Sequence, residues 1–251
     1  MNKPRDFLQQ CQTLYRQMSR ECKDRKKFTD DDICRSRDEL SELKEGRWYL
    51  KPAAFDPSGV ALGRPLPDAT VTCQLWRFAQ LVDKRLNILT GSDSCFAYVP
   101  PSCYHVTVLN RDHFSPRGID VRHSKQTGPR TIKMLSKGEF HRCRDVVTPL
   151  SINSVSVEIG GLVLPANGRV LVKAYPVDDR IPYLRQEMLG AVPKLGINIP
   201  GALTLKLGHI RHSLAPRQLG ELLVWLRIRG QHLCARLRFT ELYTPRGCIQ
   251  L

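Results

Sequence analysis

The sequence lacks the patterns that would assign it to several large classes of protein. No apolar run approaches the roughly 18 residues that a membrane-spanning helix needs, and no charged-then-apolar leader stands at the N-terminus. The nine cysteines are odd in number and never occur in CxxC spacing, which gives little support for disulfides or structural zinc. These absences predict a protein of a reducing compartment, which we expect to be cytoplasmic and not to bind a membrane.

Motifs of several catalytic and binding classes are also missing. The chain has no H-x-E, HExxH or paired-carboxylate spacing for a metal, and no P-loop. It has neither the aromatic strand of an RNP-type RNA-binding domain nor the GXXG loop of a KH domain. We therefore expect chemistry that needs no metal and no cofactor.

Acidic residues are few relative to basic ones. The chain has 24 Asp and Glu against 39 Lys and Arg, a formal net charge of +15. Such an excess attracts phosphate-rich partners such as nucleotides and RNA, although a solubilising basic surface has the same composition. At 251 residues and 41% hydrophobic content, the chain is long enough to bury a sizeable core.

Hydrophobic periodicity predicts helices and strands along most of the chain. The expected elements are a helix at 4–27, a helix at 30–46, an irregular connector at 47–68, a strand at 70–75, a helix at 75–91, strands at 96–99 and 104–109, a loop at 111–137, a hairpin at 155–177, a helix at 179–192, a strand at 202–207, a helix from 214 and a strand at 232–243. This order predicts an α+β fold whose sheets and helices form two similar halves. Residues 1–64 are expected to be an N-terminal helical extension with its connector, and 65–251 the two-lobed domain.

The segment 100–108, PPSCYHVTV, predicts a proline-bounded loop that leads into a strand. Because side chains alternate along a strand, His105 and Thr107 should point to the same face. An imidazole with a pKa near neutrality transfers protons, and a short hydroxyl donates a hydrogen bond to a phosphate oxygen. The pair predicts half of a site for phosphoester cleavage, although a lone His-x-Thr is expected by chance in a chain of this length.

Together with segments 70–75 and 200–208, segment 100–108 resembles the two-histidine (2H) phosphoesterase superfamily, which includes cyclic phosphodiesterases and the so-called RNA 2′,3′-ligase proteins. The resemblance covers about residues 65–245. It implies antiparallel sheets lining a central cleft, with one His-x-Thr/Ser motif per lobe. It also implies that one histidine acts as base, the other as acid, and that the hydroxyls hold the phosphate. The expected activity is metal-independent cleavage of a cyclic, 2′–5′ or 2′,3′-type nucleotide or RNA phosphodiester.

The second motif departs from this pattern. On alignment with the family, its hydroxyl falls on Thr204 and its histidine falls on Ala202, which cannot transfer a proton. The alanine could be an introduced substitution of a native histidine, or a natural change in a binding-only relative or a one-histidine enzyme. The third interpretation is a core strand unrelated to the motif. We therefore expect an impaired phosphodiesterase, and the alternative is a non-catalytic RNA- or nucleotide-binding protein on the same fold.

Three further residues are candidate substrate contacts. Lys206 shares the strand face of Thr204, Tyr104 flanks the first motif, and Arg111 follows its strand. Each also has an ordinary alternative role, as a lysine at a sheet end, a tyrosine packed under a helix, or a surface arginine. His209 lies seven residues after Ala202. Because seven is an odd number, alternation along the strand predicts that His209 faces away from the cleft.

Overall fold

The computed structural model describes residues 4–24, 40–52, 59–110, 134–193, 195 and 203–251. These ranges contain both helices and a large sheet, which confirms the α+β class. The α-helices are α1 (Pro4–Asp24), α2 (Ala69–Thr90), α3 (Lys137–Val147), α4 (Arg180–Ala191) and α5 (Pro216–Gly230). The strands are β1 (Ser41–Lys44), β2 (Arg47–Leu50), β3 (Val60–Leu62), β4 (Phe96–Tyr98), β5 (Val106–Leu109), β6 (Val155–Val163), β7 (Arg169–Pro176), β8 (Leu203–Ile210), β9 (Cys234–Phe239), β10 (Glu241–Thr244) and β11 (Gly247–Gln250). Among the described helices, none is both long and apolar enough to cross a membrane.

The strands join in one sheet whose centre is the antiparallel pair β5–β8. Beyond β5 the order continues through β3 and β10 to β11, and beyond β8 it continues through β7 and β6 to β9. Each pairing in this eight-strand run is antiparallel. The C-terminal part of β8 also pairs with β4, which connects to β2 and β1. Two four-stranded halves therefore meet at β5 and β8.

Helices α2 to α5 bury their apolar residues against one face of this sheet in a single core. Helix α2 shows why such a segment becomes helical. Asp68 accepts a hydrogen bond from the Val71 backbone N–H at 3.0 Å, and Gly91 ends the helix with φ 70°. The buried side chains of α2 recur every three or four residues, at Val71, Leu75, Ala79, Val82 and Leu86.

Helix α1 lies on the opposite face, over β6 and β7, where Cys11 and Tyr15 pack against Val163 and Leu171. We call this side of the sheet the α1 face. The hydroxyl of Tyr15 accepts a hydrogen bond from the Ala174 backbone N–H at 3.0 Å. It also lies within donating distance of the backbone carbonyls of Ala174 and Leu203. These two residues pair at the end of the β7–β8 ladder, so α1 is anchored beside the start of β8.

Three predictions for the first hundred residues differ from the structure. The strand predicted at 70–75 is wrong, because the Asp68 cap and the helical spacing of the apolar residues outweigh the strand propensity of Thr-Val-Thr. The helix predicted at 30–46 is wrong over 41–44, which form β1, and its part at 30–39 lies outside the described residues. The connector predicted at 47–68 contains strands β2 and β3.

Two differences lie later in the chain. Helix α3 was missed, although its capping box is readable: Ser136 and Glu139 exchange hydrogen bonds at the helix start. The single strand predicted at 232–243 is divided into β9 and β10, and β11 follows. The loop predicted at 111–137 lies outside the described residues up to 133. Strands β1 to β3 belong to the predicted extension yet join the sheet, and the boundary at residue 64 stays a prediction.

Gly208 lies where β8 passes closest to β4. A Cβ at this position would overlap the Phe96 ring and the Ala97 carbonyl oxygen. We expect Gly208→Ala to lower the free energy of unfolding by about 3 kcal/mol, because a crowded backbone cannot move away cheaply. Gly220→Ala is the matched control, since its Cβ meets nothing within 4 Å and alanine favours the helix. Urea denaturation of both variants measures the difference, and equal stabilities would contradict the packing described.

The hydroxyl of Tyr15 is expected to stabilise the attachment of α1. Tyr15→Phe leaves the Ala174 N–H without its partner and should lower the free energy of unfolding by about 1–3 kcal/mol. Tyr183→Phe is the control because that side chain is 47% exposed. Hydrogen exchange at Ala174 should rise in the first variant and stay unchanged in the second.

Candidate active site

Thr107 and Thr204 are paired directly across β5 and β8, at the centre of the sheet. Paired residues point to the same face, so the two hydroxyl side chains stand side by side, both half-buried. The row continues to Ala61 on one side and to Lys173 on the other. The Lys173 ammonium lies 5.6 Å from the centre of the Tyr15 ring, which places the row on the α1 face.

His105 lies one residue before β5 and is only 6% exposed. Its Nδ1–H donates to the Cys103 backbone carbonyl at 2.9 Å, which leaves Nε2 as the nitrogen that can accept a proton. Burial lowers the pKa of His105 to about 4, and the charges of Arg64 and Lys206 contribute to this shift. The imidazole is therefore neutral at pH 7.

Lys206 lies on the same face, two residues after Thr204, as alternation predicts. Continuing the β5–β8 register by one residue sets it opposite His105. Burial and the charge of Arg169 lower the pKa of Lys206 well below its usual value.

A bulge in β8 changes the position of His209. Leu171 pairs with Lys206 and Val170 pairs with Gly208, so one residue of β8 has no counterpart on β7. His209 thereby returns to the face of Lys206, opposite Arg169, and the prediction that it faces away is wrong. Burial, followed by the charges of Lys206 and Arg169, lowers the pKa of His209 to about 3.

Arg64 adds a cation that sequence reasoning missed. It follows β3, and its Nη1 donates to the Tyr243 hydroxyl at 3.0 Å while the guanidinium lies 5.2 Å from the centre of that ring. Its Nη2 is 3.9 Å from the Cys103 sulfur, beside the loop that holds His105. No local motif marks this arginine, because the β3–β5 and β3–β10 pairings bring its neighbours together from distant parts of the chain.

The remaining predicted site residues are Tyr104, Ala202 and Arg111. Tyr104 is fully buried in the core, burial raises its pKa, and its hydroxyl has no hydrogen-bond partner within the described part of the chain. This position gives no support to its predicted role as a substrate contact, because the opposite parity from His105 turns it away from the α1 face. Ala202 and Arg111 lie outside the described residues.

The residues gathered on the α1 face are suited to an anion. Two hydroxyls, a neutral imidazole and several cations surround the centre of the sheet, whereas the described ranges contain no cluster of His, Cys, Asp or Glu with the makeup of a metal site. Hydroxyls and cations bind phosphate oxygens, and an imidazole removes or supplies a proton.

No protein-family model and no curated protein matches this chain. Two solved structures of Usb1 from Kluyveromyces marxianus are similar to it. The one with uridine monophosphate has a TM-score of 0.43 and 14% identity, and covers 76% of this chain and 97% of its own. The second has a TM-score of 0.40 and 14% identity, and covers 76% of this chain and 96% of its own. At this identity, neither match assigns a substrate or a residue role to this chain.

The low pKa of His105 predicts a loss of stability in acid. Its folded-state pKa of about 4 lies below the usual 6.5, so the folded protein binds the proton less well than the unfolded chain. The free energy of unfolding is then unaffected above pH 6.5 and falls by about 3 kcal/mol as the pH drops towards 4. His209 adds a similar loss that continues to about pH 3.

Urea denaturation between pH 8 and pH 3 measures this effect. His105→Gln should remove about half of the fall between pH 6.5 and 4, since His209 supplies the rest, and His232→Gln, at an exposed histidine, should leave it unchanged. A wild-type curve with no fall over this interval would contradict the buried, neutral imidazole.

Proposed function

We propose that this protein is a metal-independent phosphodiesterase of the two-histidine type, which binds an RNA-derived or cyclic nucleotide on the α1 face. The observation that supports it most is the direct pairing of Thr107 with Thr204, with His105 and Lys206 one step along the same register. In this proposal Ala202 leaves the chain with one of its two proton-transfer groups and impairs its turnover.

The two threonines provide donors for the non-bridging oxygens of the phosphate. Their hydroxyls are close in space although they are 97 residues apart in sequence. Negative charge builds up on those oxygens as phosphorus is attacked, and fixed donors stabilise it without reorganising. Lys206 and Arg64 offset the charge of the bound group as well, since both act electrostatically on His105.

His105 is suited to the role of general base. Its Nδ1–H is fixed by the Cys103 carbonyl, and the pKa near 4 keeps Nε2 unprotonated at pH 7. In hydrolysis of a 2′,3′-cyclic phosphate, Nε2 would take a proton from water, the water oxygen would bond to phosphorus, and one P–O bond to ribose would break. A bound phosphate raises the pKa of a nearby imidazole, so the substrate itself brings His105 closer to the range in which it transfers protons.

The ribose oxygen that leaves must also receive a proton. In the superfamily that the sequence resembles, one of the two histidines supplies it; if His105 is the base, that role would belong to the histidine of the second motif, where this chain has Ala202. Without that group the proton comes from solvent, which slows the step by the contribution of one general acid, about 10²–10⁴-fold. The same alanine favours the second candidate function, a nucleotide- or RNA-binding protein that does not turn over its ligand.

The experiment is a turnover assay with 2′,3′-cyclic nucleotides, 2′–5′-linked oligonucleotides and cyclic oligonucleotides. Ala202→His should raise kcat about 10²-fold or more by restoring an acid. Adding His105→Ala to that variant should abolish the gain, and His232→Ala should preserve it. EDTA should leave every rate unchanged.

Thr107→Ala and Thr204→Ala separate phosphate binding from proton transfer. Each should weaken binding of a nucleoside monophosphate about tenfold, the cost of one hydrogen bond to a charged group, and Thr240→Ala on the exposed β9–β10 turn should not. If Ala202→His gains no activity while the unmodified chain binds RNA tightly, the binding protein is the correct function. If no substitution alters either rate or binding, both candidate functions are wrong.

A further inference from the structure

We propose that the α1 face carries a nucleobase site at Trp48. A row of basic side chains connects this site with the candidate active site at Thr107 and Thr204. The ligand is then a single-stranded oligonucleotide whose reacting end lies at the threonines and whose distant base stacks on Trp48. The assignment of the reacting end rests on the proposed function, whereas the site at Trp48 rests on observations of its own.

Sheet pairing places Trp48 on the same face as the candidate active site. Trp48 pairs with Ala97, Ala97 with His209, and His209 with Arg169, so one row of the α1 face runs across four strands. At the outer end of the row, Leu43 pairs with Trp48 and is 58% exposed. The row therefore passes from an exposed apolar pair to a histidine and an arginine.

The Trp48 ring is half-buried and packs against the hydrophobic core as well as against Arg211. The Arg211 guanidinium carbon lies 3.4 Å from its ring centre, and Nη1 of Arg211 donates to the Ser94 carbonyl at 2.9 Å. Arg211 is only 3% exposed, so the ring covers the guanidinium while Trp48 itself stays half-exposed. An indole fixed in this way is a platform on which a base stacks, and every base has such a face.

Basic side chains lie along β8 between this platform and the threonines, and we call them, with Arg169, the basic path. Lys206 follows Thr204 on the α1 face, the bulge at Leu207 brings His209 onto the same face beyond it, and Arg169 lies beside His209 on β7, the strand on the side away from Trp48. Arg169 is exposed to solvent. The charges of Lys206 and Arg169 that lower the pKa of His209 would be offset by phosphate groups on this path.

The distance between Thr204 and Trp48 is too long for one mononucleotide to contact both residues. From Thr204 to His209 the strand rises about 15 Å, and Trp48 lies two strands further across, about 10 Å. A ligand that reaches both needs several nucleotides, with phosphates passing Lys206 and the pair formed by His209 and Arg169. The strand must be single, because a base in a duplex has no free face for the indole.

The experiment compares oligouridylates of one, two, four and six nucleotides that end in a 2′,3′-cyclic phosphate, on the full chain. Affinity is expected to rise with length up to four or more nucleotides. Arg169→Ala and Trp48→Ala should each weaken hexanucleotide binding about tenfold and leave cyclic mononucleotide binding unchanged. Arg229→Ala, at an exposed position on α5, is the control and should change neither.

Two further measurements distinguish loss of a ligand contact from partial unfolding of the variant. Arg169→Ala should reduce the slope of log affinity against log salt by about 0.7, the effect of one phosphate contact on a single strand. Tryptophan fluorescence should be quenched by the hexanucleotide but not by the mononucleotide, and Trp48→Phe should keep the binding while removing the quenching.

Affinity that does not depend on length, or displacement of the hexanucleotide by polyglutamate as effectively as by unlabelled RNA, would overturn the nucleobase site. The proposed function is judged separately, by binding and turnover of the cyclic mononucleotide. If binding depends on length and on Trp48 but no substrate is turned over, the nucleobase site is supported and the proposed phosphodiesterase activity is contradicted.

Discussion

The antiparallel pairing of Thr107 with Thr204 is the constraint on which both the sheet and the candidate site depend. It joins two four-stranded halves, and each half contributes one of the two hydroxyls. Its register is fixed from the other face, where Val106 pairs with Leu205 in the core. A slip of one residue would exchange the faces and bury the hydroxyls against the helices, at the cost of exposing valine and leucine. The hydrophobic core thus specifies the geometry of the polar site.

The cations on the α1 face affect the protonation of its two histidines. Arg64 and Lys206 disfavour protonation of His105, and Arg169 with Lys206 disfavours protonation of His209. While the imidazoles are neutral these cations do not destabilise the histidines, and the loss of stability appears only in acid, where the unfolded chain binds the protons better. A phosphate bound beside the imidazoles would act in the opposite direction and raise both pKa values. The neutral state of His105, which a base requires, follows from its burial and from these cations.

Sequence patterns predicted those parts of the fold in which local and tertiary preferences agree. The hairpin β6–β7 has Asn167-Gly168 at its turn, with Gly168 at φ 76°, and the alternation around Thr107 and Thr204 gave both central strands. The strand predicted at 70–75 failed because Thr-Val-Thr fits a strand locally, whereas the cap at Asp68 and the packing of α2 decide for a helix. Arg64 could not be found from the sequence, since its neighbours at the site come from β10 and the loop before β5.

The bulge at Leu207 shows how a single residue sets the extent of the site. Strict alternation from Thr204 through Lys206 would turn His209 into the core and leave Gly208 on the α1 face. Gly208 instead faces the Phe96 ring, where only a glycine fits, and the extra residue before it rotates the rest of β8. The close approach of β4 therefore requires both the glycine and the bulge. As a consequence the basic path does not stop at Lys206 but continues to His209, which pairs with Arg169 on one side and with Ala97, the partner of Trp48, on the other. Packing between β4 and β8 thereby determines how far along the sheet the basic side chains extend.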